Sequence, residues 1–139
     1  MILRVTTPPA VEPLTVSEVK THLKIDVSTE DTLLAGYLTA ARMQCELEAR
    51  RAFVTQTLQL KLEAWPWCEE IRLPRPPLQS ISSVVYIDSD GNSHTMSSAD
   101  YIVDTASEPG RIILAYGAGW PGASLQPGPA ITITYVAGY

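Results

Sequence analysis

Along residues 28–53 the apolar positions Leu34, Leu38, Ala41, Cys45 and Ala52 recur at steps of three, four or seven. Leu33, Tyr37 and Ala40 widen that stripe, and Glu30, Asp31, Arg42, Glu46, Glu48, Arg50 and Arg51 fall mostly off it. The spacing predicts a long amphipathic α-helix with one apolar side. Ser28 is its expected N-cap, with Asp31 three residues on. Acids open the segment and arginines close it, as the helix dipole prefers. Gly36 in its interior costs about 1 kcal/mol relative to Ala. Its small size suits close approach by another helix or by a sheet.

The chain before this helix carries Pro8, Pro9 and Pro13. Residues 1–13 therefore read as an extended arm, because proline and the residue before it resist helix. A short helix follows. Thr15 is placed as N-cap with Glu18 at the third helical position, a capping box, and Leu14 and Val19 form a hydrophobic staple across it. Val16, Val19 and Leu23, with His22 beside them, are the expected inward face. Residues 26–28 break this helix, and the two helices form an αα-hairpin.

From residue 54 the period changes to two. Leu58, Leu60 and Leu62 alternate with Gln59, Lys61 and Glu63, and the stretch is rich in strand formers. Further strands are expected at 71–73, 81–87, 94–96, 101–103, 111–116 and 131–136. Residues 89–92 (Ser-Asp-Gly-Asn) make a hairpin turn. In the last strand Ile131, Ile133 and Tyr135 share one face, and Thr132, Thr134 and Val136 the other. The fold class is α+β: an N-terminal helical hairpin packed on a mostly antiparallel β-sheet or small sandwich, with the long helix covering its apolar face. Residues 1–139 are read as a single domain, with 1–13 as arm, 14–53 as helices and 54–139 as the β-rich part.

Charge changes this picture in one respect. The net charge is −5, which disfavours a broad nucleic-acid grip. Residues 1–51 hold six basic and seven acidic side chains, and residues 52–139 hold four and eight, so the β-rich part is the acidic one. The two cysteines, Cys45 and Cys68, make no disulfide framework, and Cys45 on the helix stripe reads as a small buried hydrophobe. A reducing cytoplasm is the simplest setting. The N-terminus lacks the apolar run of a signal peptide, and no segment approaches the ~20 apolar residues of a membrane span.

Several motifs invite chemistry and do not sustain it. Gly117, Gly119 and Gly122 spell G-x-G-x-x-G after a strand, but Pro121, Pro127 and Pro129 forbid the helix whose N-terminus would hold a pyrophosphate. Asp88, Asp90 and Asn92 resemble part of a calcium loop, but the glycine falls at the fourth place and Ala99 stands where the bidentate Glu belongs. His22 and His94 have no partner cysteine or carboxylate at metal-ligand spacing. No nucleophile elbow and no catalytic cysteine context is present. No catalytic, cofactor or metal residue is assigned. Trp65, Trp67 and Trp120 sit in Pro-rich loops, either as plugs at the ends of the sheet or as interface anchors. Arg42, Arg50 and Arg51 read as a solvated helix face that could also meet an acidic neighbour.

Taken together, several segments resemble one family. They are Thr7-Pro8-Pro9-Ala10, Glu12-Pro13-Leu14, Glu18-Val19-Lys20, His22-Leu23-Lys24, Ala40-Ala41-Arg42, Arg50-Arg51-Ala52-Phe53 and Thr55-Gln56-Thr57. Leu73-Pro74-Arg75-Pro76-Pro77-Leu78, Tyr86-Ile87-Asp88, Asp90-Gly91, Trp120-Pro121 and the closing Ile133-Thr134-Tyr135-Val136-Ala137-Gly138-Tyr139 complete the set. In order and spacing the chain resembles the head–tail connector, or adaptor, proteins of long-tailed bacteriophages and prophages.

That resemblance implies a structural protein of the virion neck, made in the bacterial cytoplasm, and not an enzyme. Such proteins form a ring with copies of themselves, usually twelvefold, beneath the portal. The ring extends the DNA channel without gripping the DNA and offers a surface to the next neck or tail protein; no membrane is involved. Arg42, Arg50, Arg51, Trp65, Trp67 and Trp120 are the residues expected at its oligomer and partner contacts. The basic end of the long helix and the acidic β-rich part are a candidate complementary pair, because ring contacts join two different patches. Members of the family continue past the Ala-Gly-Tyr segment into a helical part that docks on the portal, whereas this sequence stops at Tyr139. The alternatives are another neck or tail-completion protein, or a β-rich module binding carbohydrate or another ligand through exposed tryptophans.

Overall fold

The computed structural model describes residues 1–139. In chain order it has strand β1 (Ile2–Thr7), helices α1 (Val16–Leu23) and α2 (Asp31–Ala49), and strands β2 (Gln56–Leu62), β3 (Glu70–Arg72), β4 (Leu78–Ile87), β5 (Ser93–Thr95), β6 (Tyr101–Asp104), β7 (Arg111–Leu114) and β8 (Ile131–Ala137). The architecture is α+β with a mostly sheet body. One sheet has five strands in the order β1-β2-β8-β4-β5, and the other has three in the order β3-β7-β6. Every pairing is antiparallel.

The alternation in the sequence drives this body. On β8, Ile131, Ile133, Tyr135 and Ala137 are buried while Thr132, Thr134 and Val136 are only half-covered. Leu58 and Leu60 of β2 pair with Tyr135 and Ile133 in register. These residues join Val84 and Leu78 of the same sheet, Ile71 and Ile112 from the other sheet, and Leu73 just past β3, in one cluster. The core is thus shared between two sheets, and apolar burial is its main driving force. The Tyr135 hydroxyl donates to the Pro74 carbonyl at 2.7 Å, and burial pushes its pKa up.

The N-terminal arm differs from expectation in its first half. Its opening residues form β1, which pairs along β2 from Ile2↔Lys61 to Thr7↔Thr57. The strand-forming run Ile2-Leu3-Arg4-Val5 outweighs the prolines, which begin only at Pro8 and end the strand.

The helices form as predicted and pack differently. Thr15 caps α1: its hydroxyl accepts from the Glu18 N–H, and the Glu18 carboxylate accepts from the Thr15 N–H at 2.8 Å. The expected inward face of α1 is loose, with Val16 and Val19 half-buried and His22 and Leu23 exposed. Ser28 does not cap α2; Glu30 takes that position without a side-chain bond, and Ser28 contributes only its carbonyl, to the Asp31 N–H. Both helices end in a left-handed residue, Lys24 and Arg50, with the next N–H bonding back to Lys20 and Glu46. Lys20 and Asp31 tie α1 to α2 at 2.8 Å.

The long helix does not cover the sheet. The core cluster contains no residue of either helix. On α2 only Leu34, Arg42 and Glu46 are buried, and Cys45, expected inside, is exposed. The physical reason is that the second sheet already closes the apolar face of the first. The helical hairpin is left attached at one end of the body.

Candidate oligomer and partner surface

The six residues expected at an interface separate into two groups at opposite ends of the body. β2 runs from Gln56, beside the end of α2, to Leu62, beside the tryptophan loops, about 20 Å away along the strand. Arg42, Arg50 and Arg51 lie at the first end, and Trp65, Trp67 and Trp120 at the second.

Arg42 is not on a solvated face. It is 7% exposed. Its Nε donates to Glu12 at 2.7 Å and its Nη1 to Glu46 at 3.0 Å. Glu46, 1% exposed, also accepts from the Phe53 N–H at 2.8 Å and from Gln56 Nε2 at 2.9 Å. Arg75 approaches Glu46 at 3.7 Å, and Thr39 donates to Glu12 at 2.8 Å. One polar knot therefore joins arm, helix, first core strand and the loop before β4. The Arg42 guanidinium holds the Glu12 carboxyl below its usual range, and Glu12 raises Arg42 in return. Arg42 could not be told from a surface arginine by spacing. The signal was Glu46, one turn on, which places an ion pair on a single helix face.

Arg51 pairs with Glu108 and donates to the Tyr139 hydroxyl at 2.9 Å. Arg51, one of the arginines at the helix end, thus has an acidic partner from the β-rich part within its own chain. Arg50 is exposed, and its side chain makes no hydrogen bond or ion pair. Together with Arg51, Arg75 and Glu108 it lines an open cleft.

At the other end Trp65 and Trp120 stack face to face, ring centroids 5.1 Å apart and planes 8° off parallel. Tyr86 meets Trp65 edge-on at 5.9 Å. The Trp120 indole N–H donates to the Cys68 carbonyl at 2.8 Å. These two rings plug the end of the sandwich, and both are packed against the core. Trp67 is fully exposed. Tyr116, just past β7, is equally exposed.

The turn at this end is a side-chain-braced hairpin. Asp88 accepts from the Asp90 and Asn92 N–H groups and bonds His94 Nε2 at 2.7 Å. The His94 bond is the largest cause of an Asp88 pKa lowered to about 2. After β7, residues 117–129 contain no helix, so the glycine pattern there is a loop.

The feature that sequence reasoning missed is on α2. Its outward side carries Leu33, Tyr37, Met43 and Leu47, each more than half exposed. The sequence reading merged Leu33 and Tyr37 into the inward stripe. A helix with two apolar sides gives a period that does not say which side is inside.

Residues 13–106 match the family described as phage gp6-like head–tail connector protein. No curated protein matches the chain. Among solved structures, a chain in the virion of a native gene transfer agent particle is 26% identical and superposes with a TM-score of 0.79, covering 100% of this chain and 72% of that one. A chain in the neck of the empty particle, computed with C6 symmetry, gives 27% identity and 0.79, with 100% and 72% covered. A chain in the neck of the native particle, computed with C12 symmetry, gives 27% and 0.78, with 100% and 70% covered. The match spans the arm, both helices and both sheets, and on the strength of the family match over residues 13–106 the chain belongs to the phage gp6-like head–tail connector proteins.

Proposed function

We propose that the chain is the repeating subunit of a closed ring in the neck of a phage or phage-like particle. The ring lies beneath the portal, continues the DNA channel and receives the next neck or tail protein. The observation that carries this reading is the likeness, over the whole chain, to a chain in a neck with C12 symmetry. The protein acts by contact and turns over no substrate. Its polar clusters support that view, because Glu12, Arg42, Glu46 and Arg75 neutralise one another within one network. A net charge of −5 suits a channel wall that DNA must slide past, since each basic contact to phosphate would add affinity. The chain works as a single unit, and it is made in the bacterial cytoplasm before it enters the neck.

Of the residues expected at contacts, Arg50 and Trp67 are the ones free to reach a partner. Arg42, Arg51, Trp65 and Trp120 act indirectly, by holding those ends of the body in shape. A ring needs two different patches per subunit, and the two ends supply different chemistry.

Co-expression with the portal and capsid proteins encoded beside it, followed by electron microscopy, tests the reading. The expected result is a ring of this chain at the portal vertex, with heads that fail to acquire tails when the chain is omitted. Tailed, DNA-filled particles assembled without it would overturn the proposal.

A further inference from the structure

The outward side of α2 has no counterpart within the chain. Leu33, Gly36, Ala40, Met43 and Leu47 follow one another at steps of three, four, three and four, and all five are exposed. That is the spacing of a helix seam that receives another helix. The inward side, Leu34, Leu38, Arg42 and Glu46, lies roughly opposite. Gly36 adds an independent sign. A side chain there would meet nothing within 4 Å, so no neighbour inside the molecule requires a glycine. A mid-helix glycine with no internal use leaves room for an approaching backbone. Near its C-terminal half the seam opens into a cleft against the arm, walled by Val5, Pro8 and Pro9.

The same hairpin carries a second apolar surface on and beside its other helix. Leu14, Leu23 and Val27 are each more than half exposed. Leu14 and Leu23 border a hollow with Val19 and His22. The two surfaces are different: the first lies on α2, and the second is built from Leu23 of α1 and its flanking residues Leu14 and Val27. This is the arrangement a head-to-tail contact needs, since seating one surface on the other can be repeated from copy to copy until the circle closes. Leu33, Tyr37, Met43 and Leu47, each more than half exposed, give this side of α2 an apolar surface, and an exposed apolar patch rimmed by polar residues is the mark of a protein contact.

Resting on the ring reading above, we propose that the α2 seam is the seat for the α1 surface of the neighbouring copy. The ring then carries a continuous belt of helices, with the sheets outside or beneath it. Gly36 and Ala40 let the incoming helix approach closely, and Leu33, Met43 and Leu47 pack around it.

The test uses full-length chains with both native cysteines replaced, Cys45→Ser and Cys68→Ser. One version adds Ala40→Cys and the other Leu23→Cys, and the two are mixed during assembly with the portal. Oxidation is expected to give the mixed dimer and no Ala40→Cys homodimer. Met43→Glu is expected to melt like the parent chain while its ring fraction falls at least tenfold. Rings that form without the mixed cross-link, that cross-link through two Ala40→Cys chains, or that tolerate Met43→Glu would overturn the seam and leave the ring reading intact. Absence of rings from the parent chain would overturn both.

Discussion

Arg42 and Glu46 form an ion pair at 3.0 Å, one turn apart on α2, with side chains 5% and 1% exposed. Burying two charges is costly, and the cost is met here by additional partners: Glu12 on the arginine, and the Phe53 N–H and Gln56 on the glutamate. The helical hairpin has no share in the apolar core, so this knot is what fixes it to the sheets. Glu46→Ala takes from the buried guanidinium one of its two carboxylate partners and leaves two donors, the Phe53 N–H and Gln56 Nε2, without their acceptor, and it is expected to destabilise the chain by about 3 kcal/mol in denaturant melts. Glu46→Gln keeps an acceptor for the Phe53 N–H and is expected to lose less. Equal stability of the alanine variant and the parent would refute the role given to the knot.

Two glycines are expected to respond in opposite directions. Gly138 has φ +121°, and a Cβ there would lie 2.3 Å from the Val54 carbonyl oxygen, so Gly138→Ala must displace backbone. A loss of about 2 kcal/mol or more follows from strain of this kind. Gly36 faces open space on a helix, so Gly36→Ala is expected to stabilise the free chain by about 0.5–1 kcal/mol. Thermal melts of both variants check this.

Trp120→Ala removes the ring stacked on Trp65 and the bond to the Cys68 carbonyl. The near-ultraviolet circular dichroism of the coupled indoles is expected to collapse, with a stability loss of about 3 kcal/mol. Trp67→Ala touches only an exposed ring and is expected to change stability by less than about 0.5 kcal/mol. A Trp67 variant that lost the same spectrum would show that the stack is assigned to the wrong pair.

Acid should loosen the turns before the core. Asp88 and Asp104 are both held near a pKa of about 2, the first chiefly by His94 and the second chiefly by Ser107 and then Arg111. Their folded values lie below the ordinary 3.8, so their contribution is present above that value and is lost as pH falls toward 2. Asp88→Asn is therefore expected to flatten the decline of melting temperature between about pH 4 and 2. In a carboxyl NMR titration His94→Ala is expected to move the Asp88 midpoint upward, because the largest cause of its depression is removed.

Much of the body was legible because alternation is a local signal. Leu58, Leu60, Ile133 and Tyr135 point inward in the structure as their spacing requires. The Thr15–Glu18 capping box was readable for the same reason: its two halves lie three residues apart. What was not legible depended on distant partners. Nothing near Arg42 announces Glu12, thirty residues earlier, and nothing near Arg51 announces Glu108. β1 escaped notice because its partner strand begins some fifty residues later, and because Pro8 and Pro9 drew attention from the strand formers before them. On α2 the composition of both sides is apolar, and only tertiary structure decides which side the chain itself uses.

The charged knot beneath α2 bears on the accuracy of a closed circle. Greasy contacts tolerate small slips, whereas paired charges and directed donors admit essentially one angle between hairpin and body. In a circle of identical parts any angular error is multiplied by the number of parts, and the last would miss the first. In the proposed ring, a joint of this kind would give every copy the same angle between hairpin and body before assembly begins.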